Sequence, residues 1–193
     1  MRNLILLGAA TYLAASLNFS IILFKVLGKG DPRDRFSGNA GTTNVARQLG
    51  KIWALMILVL DIGRAGAVAM AGSRLLPAAF IPLLGFILVV GNQKPVFHRF
   101  RGGKGVATYL GFTFFVSPVV AGISCLAWVL AYRLFRQSFI ASFFMVAILG
   151  LGTLCSFSSG WPGLFGVGAT MGFIFWAHKA NITGYAEKMR GKA

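Results

Sequence analysis

Long apolar runs constrain this chain before any motif does. A helix needs roughly 20 apolar residues to cross the hydrocarbon core of a bilayer. Five runs are of that order: Leu4 to Phe24, Ile52 to Ala71, Leu76 to Val90, Phe139 to Phe157 and Trp161 to Ala177. The third is short and ends near Gly91. A sixth, Val106 to Tyr132, is too long for one comfortable span, and Ser117-Pro118 interrupts it where proline breaks a helix. The first run follows Arg2 as a signal peptide would, but Ala14, Ala15 and Ser16 are embedded in apolar sequence that continues to Phe24, so a first membrane helix is expected.

Basic residues decide how the sixth run is divided, because loops rich in Lys and Arg stay on the cytoplasmic side. Divided in two, it gives seven spans with the N-terminus outside and the C-terminus cytoplasmic. Sixteen basic residues then lie inside, among them Lys192, with Arg2 and Arg74 outside and Arg64 within the second span. Left whole, it would place ten inside and eight outside. The seven-span reading wins, at the cost of two central segments only about 16 to 22 Å long. Such segments must tilt, be shielded or thin the bilayer. The expected architecture is an all-α integral membrane protein, a single polytopic domain over 1–193.

With 19 Lys and Arg against Asp31, Asp34, Asp61 and Glu187, charge alone would fit a nucleic-acid binder. A chain that is 56% hydrophobic offers no soluble basic face, however, so the surplus reads as orientation signal and as contacts to anionic ligands or lipids. The span glycines Gly63, Gly66, Gly150, Gly152, Gly166, Gly168 and Gly172 read as helix-packing positions. Asp61 and Arg64 are spaced to pair on one helix face. Cys125 and Cys155 lie in apolar runs without metal spacing and read as inert core residues.

Against this background the stretch Ser37-Gly-Asn-Ala-Gly-Thr-Thr-Asn-Val-Ala-Arg47 stands out, with glycines, hydroxyls and amides, one cation and no carboxylate. Gly38 and Gly41 let the backbone aim N–H groups at one point, Ser37, Asn39, Thr42, Thr43 and Asn44 add neutral donors, and Arg47 supplies a planar fork that matches phosphate oxygens. It reads as a phosphate cradle. The seven-span topology puts two further polar segments on the same side: Gly91 to Thr108 and His178-Lys-Ala-Asn181-Ile182. Gly102-Gly103-Lys104-Gly105 directly precedes an expected helix, whose positive end would favour a second anion. It is not a nucleotide P-loop, because the first glycine and the final hydroxyl of that pattern are missing. His98, among aromatic and basic residues, reads as interfacial, and His178 as a helix-end histidine or a base. No Ser/His/carboxylate arrangement or metal-ligand set can be read, so no cofactor is expected.

Together the three segments resemble the PlsY-type acyl-phosphate:glycerol-3-phosphate acyltransferases of bacteria, over nearly the whole chain. That family carries GSGNxGxTNxxR, GHxxPxFxxFxGGKGVAT and HxxNI, matched here by SGNAGTTNVAR, GNQKPVFHRFRGGKGVAT and HKANI. The resemblance implies transfer of a fatty acyl group from acyl phosphate to the 1-hydroxyl of glycerol 3-phosphate, making lysophosphatidic acid. It implies that Ser37, Arg47, Lys104, His178 and Asn181 bind glycerol phosphate and that the glycine-rich backbone cradles the acyl phosphate. Ser37, Lys104 and His178 are the catalytic candidates, with His178 or a substrate phosphate oxygen as base, and Thr108 joins the binding set. The implied setting is the bacterial cytoplasmic membrane with the site on the cytoplasmic face, membrane lipids as surroundings and a monomeric enzyme.

Three positions depart from the pattern. Phe36 replaces a glycine, Asn92 replaces a histidine and so cannot titrate, and Gly184 replaces an arginine. An inactive paralogue therefore stays open, as does a membrane anion-binding protein or transporter using Arg47, Lys104 and Arg64.

Overall fold

The computed structural model describes residues 1–157 and 160–191; Lys192 lies outside them. Every regular element among these residues is helical. The first run folds as α1 (Arg2–Ser16) and α2 (Phe19–Val26) rather than as one uninterrupted helix. Asn18 causes the break by capping α2, its Oδ1 accepting the Ile21 N–H at 3.1 Å. The polar stretch contains a short helix of its own, α3 (Thr42–Leu49), and Gly50 turns the chain into α4 (Lys51–Leu75). Then come α5 (Ile81–Gln93), α6 (Val106–Val116), α7 (Pro118–Phe135), α8 (Ser138–Ser156), α9 (Gly160–Ala177) and α10 (Lys179–Arg190).

Ser117-Pro118 separates α6 from α7 as expected, with proline in the first turn of α7, where its missing N–H costs nothing. The two halves are unequal. Helix α6 has 11 residues, whereas α7 has 18 and corrects the expectation of two short segments. Its last turn, Arg133 to Phe135, stays helical beyond the apolar run, which brings α7 to about 27 Å. Among the described residues, five stretches are long and apolar enough to cross a membrane: Arg2–Val26, Lys51–Leu75, Ala78–His98, Pro118–Phe135 and Ser138–Ser156. The chain is a multi-pass membrane protein.

Helices pack in the pairs α1 with α5, α4 with α6, α5 with α9, and α7 with α8. Leu84, Leu88 and Phe112 fill one core, and Tyr109, Val146, Leu149 and Ile174 fill another. Small residues permit the closest approaches: a Cβ on Gly111 would lie 2.7 Å from the Ile62 Cα, and one on Gly166 2.6 Å from the Leu83 N. Gly63, Gly168 and Gly172 face open space instead, so packing does not account for them. Both cysteines are exposed, Cys125 beside the central cavity, which corrects their reading as core residues. Leu55, Val59, Ile123, Leu126, Leu130 and Leu151 are exposed on long helices, as side chains that face lipid are.

The Asp61–Arg64 pair forms at 2.7 Å. Arg64 also donates to the carbonyls of Ala15 and Leu17, which the α1–α2 break leaves without helical partners, and lies over the Phe19 ring. The buried ion pair therefore closes the gap that Asn18 opens.

Candidate active site

The loop before α3 is held by amides rather than by regular structure. Buried Asn44 donates from Nδ2 to Pro32 O at 2.7 Å and Asn39 O at 2.9 Å, and Gln48 adds a bond to Pro32 O at 2.8 Å. Below it Phe24, Val45, Ala54 and Ile57 form an apolar floor. Arg33, paired with Asp31, also donates to the carbonyls of His98 and Arg101, tying this loop to the second segment. Asn18 adds a third tie, donating from Nδ2 to Ala40 O at 3.2 Å. His98 is half-buried beside this tie, its Nε2 3.4 Å from the Asn18 N–H.

The second segment folds back on the end of α5. Gly102 N–H donates to Gln93 O and Gly103 N–H to Asn92 O, at 3.1 and 3.0 Å. A side chain at 102 is excluded, since a Cβ would stand 2.0 Å from Asn92 O. Gly105 turns the chain into α6 at φ +84, where glycine carries no steric cost. Gln93 supports the turn by donating to Lys104 O at 2.9 Å.

Between these segments opens a cavity of about 420 Å³. Ser37, Asn39, Gly41, Thr42, Thr43, Asn44 and Arg47 line it from the first segment, Gly103, Lys104 and Gly105 from the second, and His178 and Asn181 from the third. Three stretches far apart in sequence thus meet at one point. Gly38, Gly102 and Thr108 stand behind the wall: Gly38 takes φ +62 in the turn, Gly102 packs on α5, and the Thr108 hydroxyl accepts from Asn92 Nδ2 at 2.9 Å. Asn92 itself borders the cavity.

Helices α3 and α6 both start at the cavity, and the N–H groups of a first turn have no partner within the helix. Thr43 and Arg47, one turn apart on α3, line it together. Lys104 donates to Asn181 Oδ1 across the opening. Burial, together with the Arg47 charge, lowers the Lys104 pKa to about 8. Buried His178 has its Nδ1 2.8 Å from Ile174 O, so this nitrogen carries the proton and Nε2 is left as the ring's acceptor. Burial pulls its pKa down to about 4, the Ile174 bond opposes this, and the Lys104 charge adds to the lowering. The imidazole is therefore neutral at pH 7.

The rest of the wall is mostly apolar, with Leu58 from α4, Leu110 from α6, Trp128 and Val129 from α7, and Phe139 and Met145 from α8, while Asp61 of the Arg64 ion pair, Ser138 and Ser142 add polar groups. No sequence signal distinguishes these apolar residues from lipid-facing ones. Nor does the sequence single out the supports Asn18, Arg33 and Gln93, although Asn18 stands as a lone amide within an apolar run.

Fold and site define a class: a multi-pass membrane protein whose cavity joins a polar, glycine-rich cradle to a mostly apolar cleft. The family profile described as Glycerol-3-phosphate acyltransferase matches residues 5–188. The glycerol-3-phosphate acyltransferase of Methylobacillus flagellatus is 35% identical over 94% of this chain and 92% of its own length. That of Roseobacter denitrificans is 38% identical over 93% and 88%. The crystal structure of PlsY (YgiH), an integral membrane glycerol 3-phosphate acyltransferase in its glycerol 3-phosphate form, is 32% identical and aligns with a TM-score of 0.88 over 96% of this chain and 92% of that one. The lysophosphatidic acid form of PlsY aligns at 0.83 over the same shares. This chain belongs to the glycerol-3-phosphate acyltransferase family.

Proposed function

We propose that this protein transfers a fatty acyl group from acyl phosphate to the 1-hydroxyl of sn-glycerol 3-phosphate, giving lysophosphatidic acid for phospholipid synthesis. One observation carries the reading. A cradle with two helix N-termini, Arg47 and Lys104 opens directly into an apolar cleft, as a reaction between two phosphates, one bearing an acyl chain, requires. Arg47, Lys104, Ser37 and Asn181 hold the glycerol phosphate. The first turns of α3 and α6 hold the acyl phosphate, and the chain lies between Leu110, Trp128 and Met145.

The glycerol hydroxyl oxygen attacks the acyl carbonyl carbon. A carbon–oxygen bond forms to glycerol as the bond to the phosphate oxygen breaks, and inorganic phosphate leaves with the electron pair. His178 Nε2 takes the hydroxyl proton. A phosphate dianion bound nearby raises the basicity of this imidazole, because it favours the charged form. Acyl phosphate already has a good leaving group, so alignment and charge stabilisation carry the catalysis.

In this reading the chain makes seven passes as one polytopic domain, with α6 and α9 added to the five long stretches. The N-terminus is outside, and the cavity and C-terminus face the cytoplasm across the bacterial inner membrane. Purified protein in detergent should convert palmitoyl phosphate and radiolabelled glycerol 3-phosphate to lysophosphatidic acid. No product at high enzyme, or proteoliposome uptake of glycerol 3-phosphate without acyl transfer, would reject the proposal. The transporter reading is disfavoured by Arg64, whose guanidinium is tied to Asp61 and the α1 carbonyls instead of lining the cavity.

A further inference from the structure

A second feature of lipid dimensions shares no residue with the catalytic cavity. An open apolar groove of about 450 Å³ runs between α1 and α5, past Ile5, Gly8, Ala9, Phe86 and Val90. Phe86 and Val90 stand one turn apart on α5, and Lys94 follows at the end of that helix a further turn on. Phe86 meets Phe173 of α9 edge-on at 6.1 Å, and Phe173 stacks on Trp176 at 5.6 Å. An aromatic row therefore leads from the groove to the end of α9.

There the Trp176 ring, half exposed, receives two ammonium groups. Lys94 Nζ and Lys179 Nζ each lie 5.1 Å from its centroid. The ring favours each cation but does not neutralise either, and the two repel each other. The ion pairs among the described residues are Asp31–Arg33 and Asp61–Arg64, so neither lysine has a carboxylate partner. An anion between the lysines would supply the missing charge. Tryptophan at the end of a span is suited to headgroup depth, and basic pockets between membrane helices suit anionic headgroups.

We propose that this is a binding site for one anionic phospholipid. Its phosphodiester lies between Lys94 and Lys179 beside Trp176, and an acyl chain follows Val90 and Phe86 into the groove. Both halves are needed: two cations with no chain slot would suit free phosphate, and a groove with no cations would take any lipid.

Native mass spectrometry of the full chain in detergent tests this, with phosphatidylglycerol, phosphatidylcholine and inorganic phosphate as probes. One phosphatidylglycerol should be retained at a concentration about tenfold lower than phosphatidylcholine requires. K94Q/K179Q should lose that preference while keeping acyl transfer in detergent, which verifies its fold. A9F should fill the groove and reduce retention of both lipids. Equal retention of the two lipids by the unaltered chain, an undiminished preference in K94Q/K179Q, or displacement of the lipid by inorganic phosphate would overturn the proposal.

Discussion

Phe36 sits at φ 54 and is 70% exposed, so it accepts left-handed backbone without gaining burial. That conformation explains why the family pattern has glycine there, and a bulky residue held in it costs on the order of 1–3 kcal/mol. Phe36→Gly should therefore raise thermal stability, at about 2–4 °C per kcal/mol for a chain of this size; a lower melting temperature would count against the strain. Arg47→Lys keeps the charge but loses the bidentate fork, and kcat/KM for glycerol 3-phosphate should fall about 10- to 100-fold. Near-normal kinetics would contradict the cradle. Protonation gives a third expectation. Lys104 loses its proton as pH rises through about 8, and His178 gains one as pH falls through about 4. The enzyme's kcat/KM should thus fall above about 8. Lys104→Arg should move that alkaline limb upward, since arginine stays charged. An alkaline limb unmoved in this variant would assign the titration elsewhere.

At the scale of elements, Asn18 joins a helix break to the site. It caps α2 and donates to Ala40 O in the cradle loop. Asn18→Ala should cost about 0.5–2 kcal/mol as a lost cap and raise KM for glycerol 3-phosphate with less effect on kcat. A stability loss with KM unchanged would leave it a cap alone. The sequence displayed the polar segments and the Ser117-Pro118 joint because glycines, amides and proline have few alternative uses in a bilayer protein. It did not display the break after Ser16, since one amide in an apolar run does not show what it bonds. Nor did it show α3: its eight residues are too few for a periodic signal, and tertiary packing on Phe24 and Ile57 sustains them. Apolar cavity residues such as Leu110 and Met145 look like packing or lipid contacts in sequence alone. The glycine-rich loop was legible as a unit but not in its division of labour. Gly102 and Gly103 spend their N–H groups on α5, and the turn at Gly105 presents α6 to the cavity.

Across the whole molecule, charge supplied what hydropathy could not. The apolar runs establish spans, and the asymmetry of Lys and Arg places Ser37 to Arg47, Gly102 to Gly105 and His178 to Asn181 on one side, where the fold brings them to a single cavity. In the proposed reaction its polar end takes two phosphates and its apolar end one chain, so acyl transfer and phosphate departure should be one event. The direct test follows inorganic phosphate and lysophosphatidic acid together, using purified protein, palmitoyl phosphate and glycerol 3-phosphate. The account predicts one phosphate released per lysophosphatidic acid formed, and negligible release without glycerol 3-phosphate. Phosphate released without the acceptor, or with no lysophosphatidic acid formed, would contradict it.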